Sequence, residues 1–156
     1  MTAAPFFHVG FLVQDLDSAT ERFGDVFGVS WTKRTTTHST FWEPGVGKVA
    51  LELDVTYSVE GPPHIELLQA TGDGLYSARR GEGFHHIGGW STNLPMDEGG
   101  PGDPPLERIA AQFNGAGELI VSHFSPDQLH GVMLEVITEG RREMMREWLD
   151  GGPFVD

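Results

Sequence analysis

The sequence predicts an α+β fold made of two tandem βαβββ modules. The opening Phe7-His8-Val9-Gly10 returns as His85-His86-Ile87-Gly88, and the closing Ile65-Glu66-Leu67 returns as Leu134-Glu135-Val136. Each pair brackets β-rich segments, so both modules begin on a strand bearing a histidine and end on one bearing a glutamate. The reading is a single domain over 1–156, with module one at about 6–70, module two at about 84–138 and a C-terminal helix at about 140–150.

The elements follow in order. Phe6 to Val13 alternates as a strand does, with Phe7, Val9, Phe11 and Val13 on one face and His8, Gly10 and Leu12 on the other. Ser18-Ala19-Thr20-Glu21 has the pattern of a capping box. Leu16, Ala19, Phe23, Val26 and Phe27 recur at helical spacing, and Gly28 ends the helix. Ser30 to Phe41 is dense in threonine, Lys48 to Tyr57 alternates, and the turn Gly61-Pro62-Pro63 leads into a strand over His64 to Gln69. In module two, His85 to Ser91 reads as a strand, Leu106 to Phe113 as a helix, and Glu118 to Phe124 and Val132 to Thr138 as strands. Pro95 to Pro105, rich in glycine and proline, is expected to be an exposed loop before that helix. The tail from Gly140 to Leu149 is amphipathic; Met144, Met145, Trp148 and Leu149 would cover core or a dimer partner.

Composition bounds the function. With 156 residues, 38% of them hydrophobic, the chain can bury a real core. No stretch approaches the roughly 18 apolar residues of a membrane span, so no membrane partner is expected. Met1 to Phe6 has neither a basic nor a long apolar segment, so no signal peptide is expected either. With no cysteine, disulfides and thiolate metal sites are excluded, and the expected compartment is the cytoplasm. The net charge of −13 argues against nucleic acid, leaving a small-molecule substrate as the expected partner. It also disfavours a highly anionic substrate, unless a local basic patch overrides the net value.

The repeated histidines and glutamates carry the chemistry. Glu66 and Glu135 each have apolar neighbours on both sides in a strand. A carboxylate so placed is costly to bury without a partner, and two at equivalent places ask for a shared cation. His8, Glu66, His86 and Glu135 together suit one divalent ion, Zn, Ni, Co, Mn or Fe(II), with positions left for water or substrate. Leu12, Leu68, Trp90, Met133 and Ile137 share strand parity with these ligands and would make an apolar, aromatic substrate pocket, which His64 would also line. His38, His123 and His130 receive no role.

Three runs carry a family resemblance. His8 to Asp17, Arg80 to Gly88 and Gly131 to Val136 resemble the corresponding segments of the vicinal oxygen chelate superfamily, with motifs most similar to glyoxalase and methylmalonyl-CoA epimerase. The resemblance implies paired βαβββ modules in a curved, partly open sheet around a metal, a homodimer, and His86 rather than His85 as ligand. It further implies enolate chemistry, in which the metal holds substrate oxygen and a carboxylate moves a proton. Glu43-Pro44-Gly45-Val46 resembles the stretch carrying the epimerase's base, so Glu43 is the first candidate for that role and Glu135 the second. One departure stands out. Asp127 replaces a lysine in a stretch suited to a CoA phosphate tail, which weakens the case for a CoA thioester.

The expected function is therefore a divalent-metal-dependent isomerase, epimerase or lyase for a small oxygenated, rather apolar substrate. The alternatives are an Fe(II) ring-cleaving dioxygenase, whose usual two histidines and one carboxylate leave Glu66 surplus, and a non-catalytic small-molecule-binding protein, which would not need the four ligands.

Overall fold

Short strands rich in apolar residues frame the molecule. The computed structural model describes residues 6–156, the side chain of Arg80 excepted, so the reading of the first five residues lies outside it. The order is β1 (Phe6–Val13), α1 (Leu16–Phe27), β2 (Thr35–Glu43), β3 (Gly47–Tyr57), β4 (His64–Gln69), β5 (Gly83–Ser91), β6 (Arg108–Phe113), β7 (Leu119–Phe124), β8 (Leu134–Thr138) and α2 (Arg142–Leu149).

The two halves repeat one strand plan. The first and last strands of each half lie side by side in parallel, β1 with β4 and β5 with β8. The other neighbours within each half are antiparallel. The halves join where β1 runs antiparallel to β5. A short pairing of Thr40–Trp42 on β2 with Ala111–Phe113 on β6 closes the curved sheet into a barrel. Its interior is packed with Leu12, Phe41, Leu53, Val55, Leu68 and Ile137 among others.

α1 starts earlier than the capping-box pattern suggested. Asp15, not Ser18, is the cap, and its Oδ1 accepts the Ser18 N–H at 3.0 Å. The cause is tertiary: Leu16 belongs to the first turn because it packs, almost wholly buried, with Val13 and Leu67. Gly28 ends the helix in the left-handed conformation, φ 66°.

The expected helix over Leu106 to Phe113 is strand β6 instead. Leu106, Ile109, Ala110 and Phe113 have helical spacing, yet the segment pairs with β7 on one side and β2 on the other. Two register shifts in the β6–β7 ladder break the period of two and so disguise the strand. The turn after it is tight, because Asn114 Oδ1 accepts the N–H groups of Ala116 and Glu118. Module two thus keeps four strands without an α-helix among them. The loop before β6 covers the outer face instead, with Leu94 and Leu106 packed on Phe124 and Val136. Arg108 holds it there. The guanidinium donates to the carbonyls of Pro95, Met96 and Glu98 and to Ser122 Oγ, which satisfies a buried charge.

At the C-terminus, the expected helix divides into a 3-10 turn over Glu139–Arg141 and α2. Met145 and Trp148 are buried, and Trp148 packs on Tyr57 and Phe154 and donates to the Lys33 carbonyl. The apolar face of the tail therefore covers one end of the barrel core.

Candidate metal centre

The third residue of each His-x-Gly motif explains how the histidines are seated. In the β1–β5 ladder His8 lies opposite Gly88, and Gly10 lies opposite His86. Each imidazole crosses the neighbouring strand over a glycine. A Cβ at Gly88 would lie 1.9 Å from Cε1 of His8, and a Cβ at Gly10 would lie 2.3 Å from Cε1 of His86. On their other sides Gly10 pairs with Glu66 and Gly88 with Glu135. Each glycine is thus flanked by a histidine and a glutamate, and the repeat brings all four side chains to one place inside the barrel.

Their donor atoms lie within 4.8 Å of one another. His8 Nε2 is 2.9 Å from His86 Nε2 and 3.3 Å from a carboxylate oxygen of both Glu66 and Glu135. His86 Nε2 is 3.0 Å from Glu66 and 3.5 Å from Glu135. Ligands about 2.1 Å from one cation stand about 3.0 Å apart at a right angle and about 3.4 Å apart at the tetrahedral angle. The histidines are fully buried and both glutamates are only 5% exposed. Glu66 Oε2 has no hydrogen-bond partner. Two buried carboxylates, two imidazoles and an orphaned oxygen at these spacings fit a divalent cation.

The neighbouring His85 fixes which lone pair faces the site. The carbonyl of Leu75 can only accept, so His85 donates Nε2–H to it at 2.9 Å. Its Nδ1 is then the acceptor for Nδ1–H of His86 at 2.8 Å, which leaves His86 Nε2 with its lone pair toward the cluster. Burial, reinforced by His86, lowers His85 to about 4, so it stays neutral in this role.

Burial opposes charge on His8, but the Glu66 and Glu135 carboxylates outweigh it and raise the imidazole to about 9. Burial likewise opposes ionisation of Glu66, and His8 and His86 overcome it, bringing the carboxyl down to about 2. The metal-free cluster therefore keeps a proton on His8 at neutral pH, and a cation must displace it. Apparent affinity for Co²⁺ should rise about tenfold per pH unit from near neutrality and level off above about pH 9, the linkage expected for one displaced proton. Calorimetric titrations at several pH values check this; an affinity flat across that window would remove His8 from the ligand set.

Sequence reasoning missed a polar group beside the cluster. His123 on β7 is fully buried, its Nε2 2.9 Å from Glu135 Oε2 and 3.1 Å from the Tyr76 hydroxyl. Gln112 donates to that hydroxyl at 2.9 Å. Tyr57 and His123 hold equivalent places, paired with Glu66 and Glu135 respectively. Extending the repeat to the third strand of each module would have found them. Tyr76 lies on the segment between modules, where no repeat signal exists. Burial, with Glu66 and Glu135 nearby, raises both tyrosines well above the ordinary phenol range, so they stay protonated.

A cavity of roughly 80 Å³ reaches Glu66 and Glu135 between walls that include Leu53, Val55, Tyr57, Leu68 and Ile137. Of the residues expected to line the pocket, Leu68 and Ile137 do. Leu12 and Met133 line a separate hollow with His85. Trp90 packs in the core on Phe7, with Arg142 over its ring. His64 is turned away, Nδ1 2.8 Å from the Ser58 carbonyl. Shared parity put these residues inside the barrel; their height along its axis was not readable from parity. Glu43, at the end of β2, does not line the cavity either, and its carboxylate fills the space beside Gly74.

The sequence profile of the Glyoxalase/Bleomycin resistance protein/Dioxygenase superfamily matches residues 7–97. No curated protein sequence matches the chain. Among solved structures, a variant of Streptomyces coelicolor methylmalonyl-CoA epimerase in complex with 2-nitronate-propionyl-CoA is similar at a TM-score of 0.58 and 17% identity, over 88% of this chain and 98% of that one. A hypothetical protein from Bacillus halodurans is similar at 0.59 and 16%, over 88% and 96%. Methylmalonyl-CoA epimerase from Mycobacterium tuberculosis is similar at 0.53 and 18%, over 85% and 86%. These likenesses establish a shared fold, and the profile match, which spans more than half of the sequence, shows that the chain belongs to the Glyoxalase/Bleomycin resistance protein/Dioxygenase superfamily.

Proposed function

We propose that the protein is a divalent-metal-dependent isomerase, epimerase or lyase that moves a proton at a carbon beside a substrate oxygen. The carrying observation is the convergence of His8, Glu66, His86 and Glu135 at the buried end of a cavity. In this reading these four residues hold one Zn, Ni, Co, Mn or Fe(II) ion, which when bound stabilises negative charge on the substrate oxygen.

The chain's own residues supply the rest. Glu135 is the favoured base, because it lines the cavity and its Oε2 is steered by His123. Glu43 is the second candidate and would need the β2 end to shift to reach substrate. The apolar walls exclude water from the reacting carbon. The small cavity and Asp127 favour a compact substrate over a CoA thioester. The fourth protein donor favours this reading over ring cleavage by Fe(II) and O₂, which needs more open positions. The cysteine-free sequence supports a cytoplasmic setting, and the family resemblance supports a homodimer, measurable by light scattering.

Protein purified without chelator should contain about one divalent metal per chain. α-Protons of a panel of small 2-oxo and 3-oxo acids should exchange in deuterated water, stop with chelator and resume with metal. Absence of metal from the wild type, or full occupancy in His86→Ala, would end this reading. Oxygen uptake with catechols would replace it by the dioxygenase one.

A further inference from the structure

The same cavity has a second polar pole. Its buried end is acidic, its walls are apolar, and Arg141 is the sole lysine or arginine among the residues lining it. In a chain with 10 Lys and Arg against 23 Asp and Glu, a half-buried arginine facing a cavity is a notable placement. Arg34, Arg79, Arg108, Arg142 and Arg146 all spend their guanidinium groups on carboxylates, carbonyls or hydroxyls. Arg141 has no ion pair and no hydrogen-bond partner among the described residues. It lies over the Phe154 ring, its carbon centre 5.5 Å from the ring centroid, a contact that takes up none of its N–H groups. The nearest competitor, Asp156, also lines the cavity but directs both carboxylate oxygens to the His38 N–H, each at 3.3 Å.

We propose that Arg141 is the anion-binding pole of this cavity, and that the substrate is a small carbon acid carrying a carboxylate at the end remote from its metal-binding oxygen. The proposal rests on the metal-dependent reading of the site. A cation of charge two neutralises Glu66 and Glu135, so the buried end then takes a substrate oxygen without net repulsion. A planar guanidinium with a free edge matches a carboxylate in two parallel hydrogen bonds. The apolar residues lining the cavity suit a short carbon chain. Arg141 thus offers an anion one local cation in a chain that is negative overall. Asp156 acts as an internal competitor at the rim and sets a threshold against weak anions.

Succinate and succinamate, which differ by one carboxylate, separate this pole from the metal. Calorimetry on Co²⁺-loaded protein should show succinate bound at least about tenfold more tightly, in line with a charge-assisted pair of hydrogen bonds. Arg141→Met should abolish the preference with cobalt content unchanged, Arg141→Lys should keep part of it, and Asp156→Asn should tighten succinate severalfold. On chelator-treated protein succinamate, whose single carboxylate is free to turn to Arg141, should still bind and should lose that binding in Arg141→Met, so failure of the metal reading and failure of this one are told apart. Equal binding of both probes by wild-type protein, or an undiminished preference in Arg141→Met, overturns the proposal.

Discussion

Glu135→Gln should slow solvent exchange of the substrate's α-proton by about 10²–10⁴-fold, the usual contribution of a positioned base. The substitution keeps an oxygen donor where the carboxylate stood, so metal content should fall far less than exchange does. The prediction follows from placement. Glu135 lines the cavity, holds one oxygen 3.3 Å from His8 Nε2 and directs the other to His123 at 2.9 Å. A carboxylate so divided can change its bond to the cation while His123 keeps it aligned. Glu43→Gln supplies the contrast, because Glu43 lies beside Gly74 and outside the cavity lining. It should change exchange by less than about threefold, small beside the loss of a positioned base. If the larger loss occurs at Glu43 with Glu135→Gln near wild type, the two roles are reversed and the β2 end closes over substrate.

Gly88→Ala should lower metal affinity by at least about 10²-fold, at the upper end of what supporting residues of a metal site contribute. The added methyl would stand 1.9 Å from Cε1 of His8, and a fully buried ring has nowhere to retreat. Gly10→Ala should act on His86 in the same way, with its Cβ at 2.3 Å. Circular dichroism of the metal-free variants distinguishes a displaced ring from a lost fold, since the strands pair through backbone groups that alanine preserves. Normal metal content in a folded Gly88→Ala protein would show that the ring does not need this seat.

Much of the architecture was legible because it repeats. Phe7-His8-Val9-Gly10 against His85-His86-Ile87-Gly88, and Glu66 against Glu135, gave the strand openers, the strand closers and the four candidate ligands. Strands β1 and β4 could be bounded correctly because their short apolar runs around His8 and Glu66 are local information. The β6 segment could not, because two register shifts erased its alternation and left apolar spacing that a helix shares. What it became was decided by its neighbours β2 and β7, which offered hydrogen-bonding edges on both sides.

Composition and repetition by themselves determined the fold class, the absence of thiolate chemistry and the residues able to hold a cation. Only the tertiary structure decided which side chains share a cavity. Parity along a strand tells inside from outside, but the height of a residue within a closed barrel depends on strand register and tilt. Trp90, His64, Leu12 and Met133 therefore went to core, turn or a separate hollow, while Leu68 and Ile137 reached the site. Tyr76 and Arg141, far apart in sequence and outside the repeat, came to the cavity because the chain folds back over the barrel. The glycines of the two His-x-Gly motifs were visible as letters, yet their purpose, clearing the path of an imidazole from the neighbouring strand, exists only once β1 and β5 are paired.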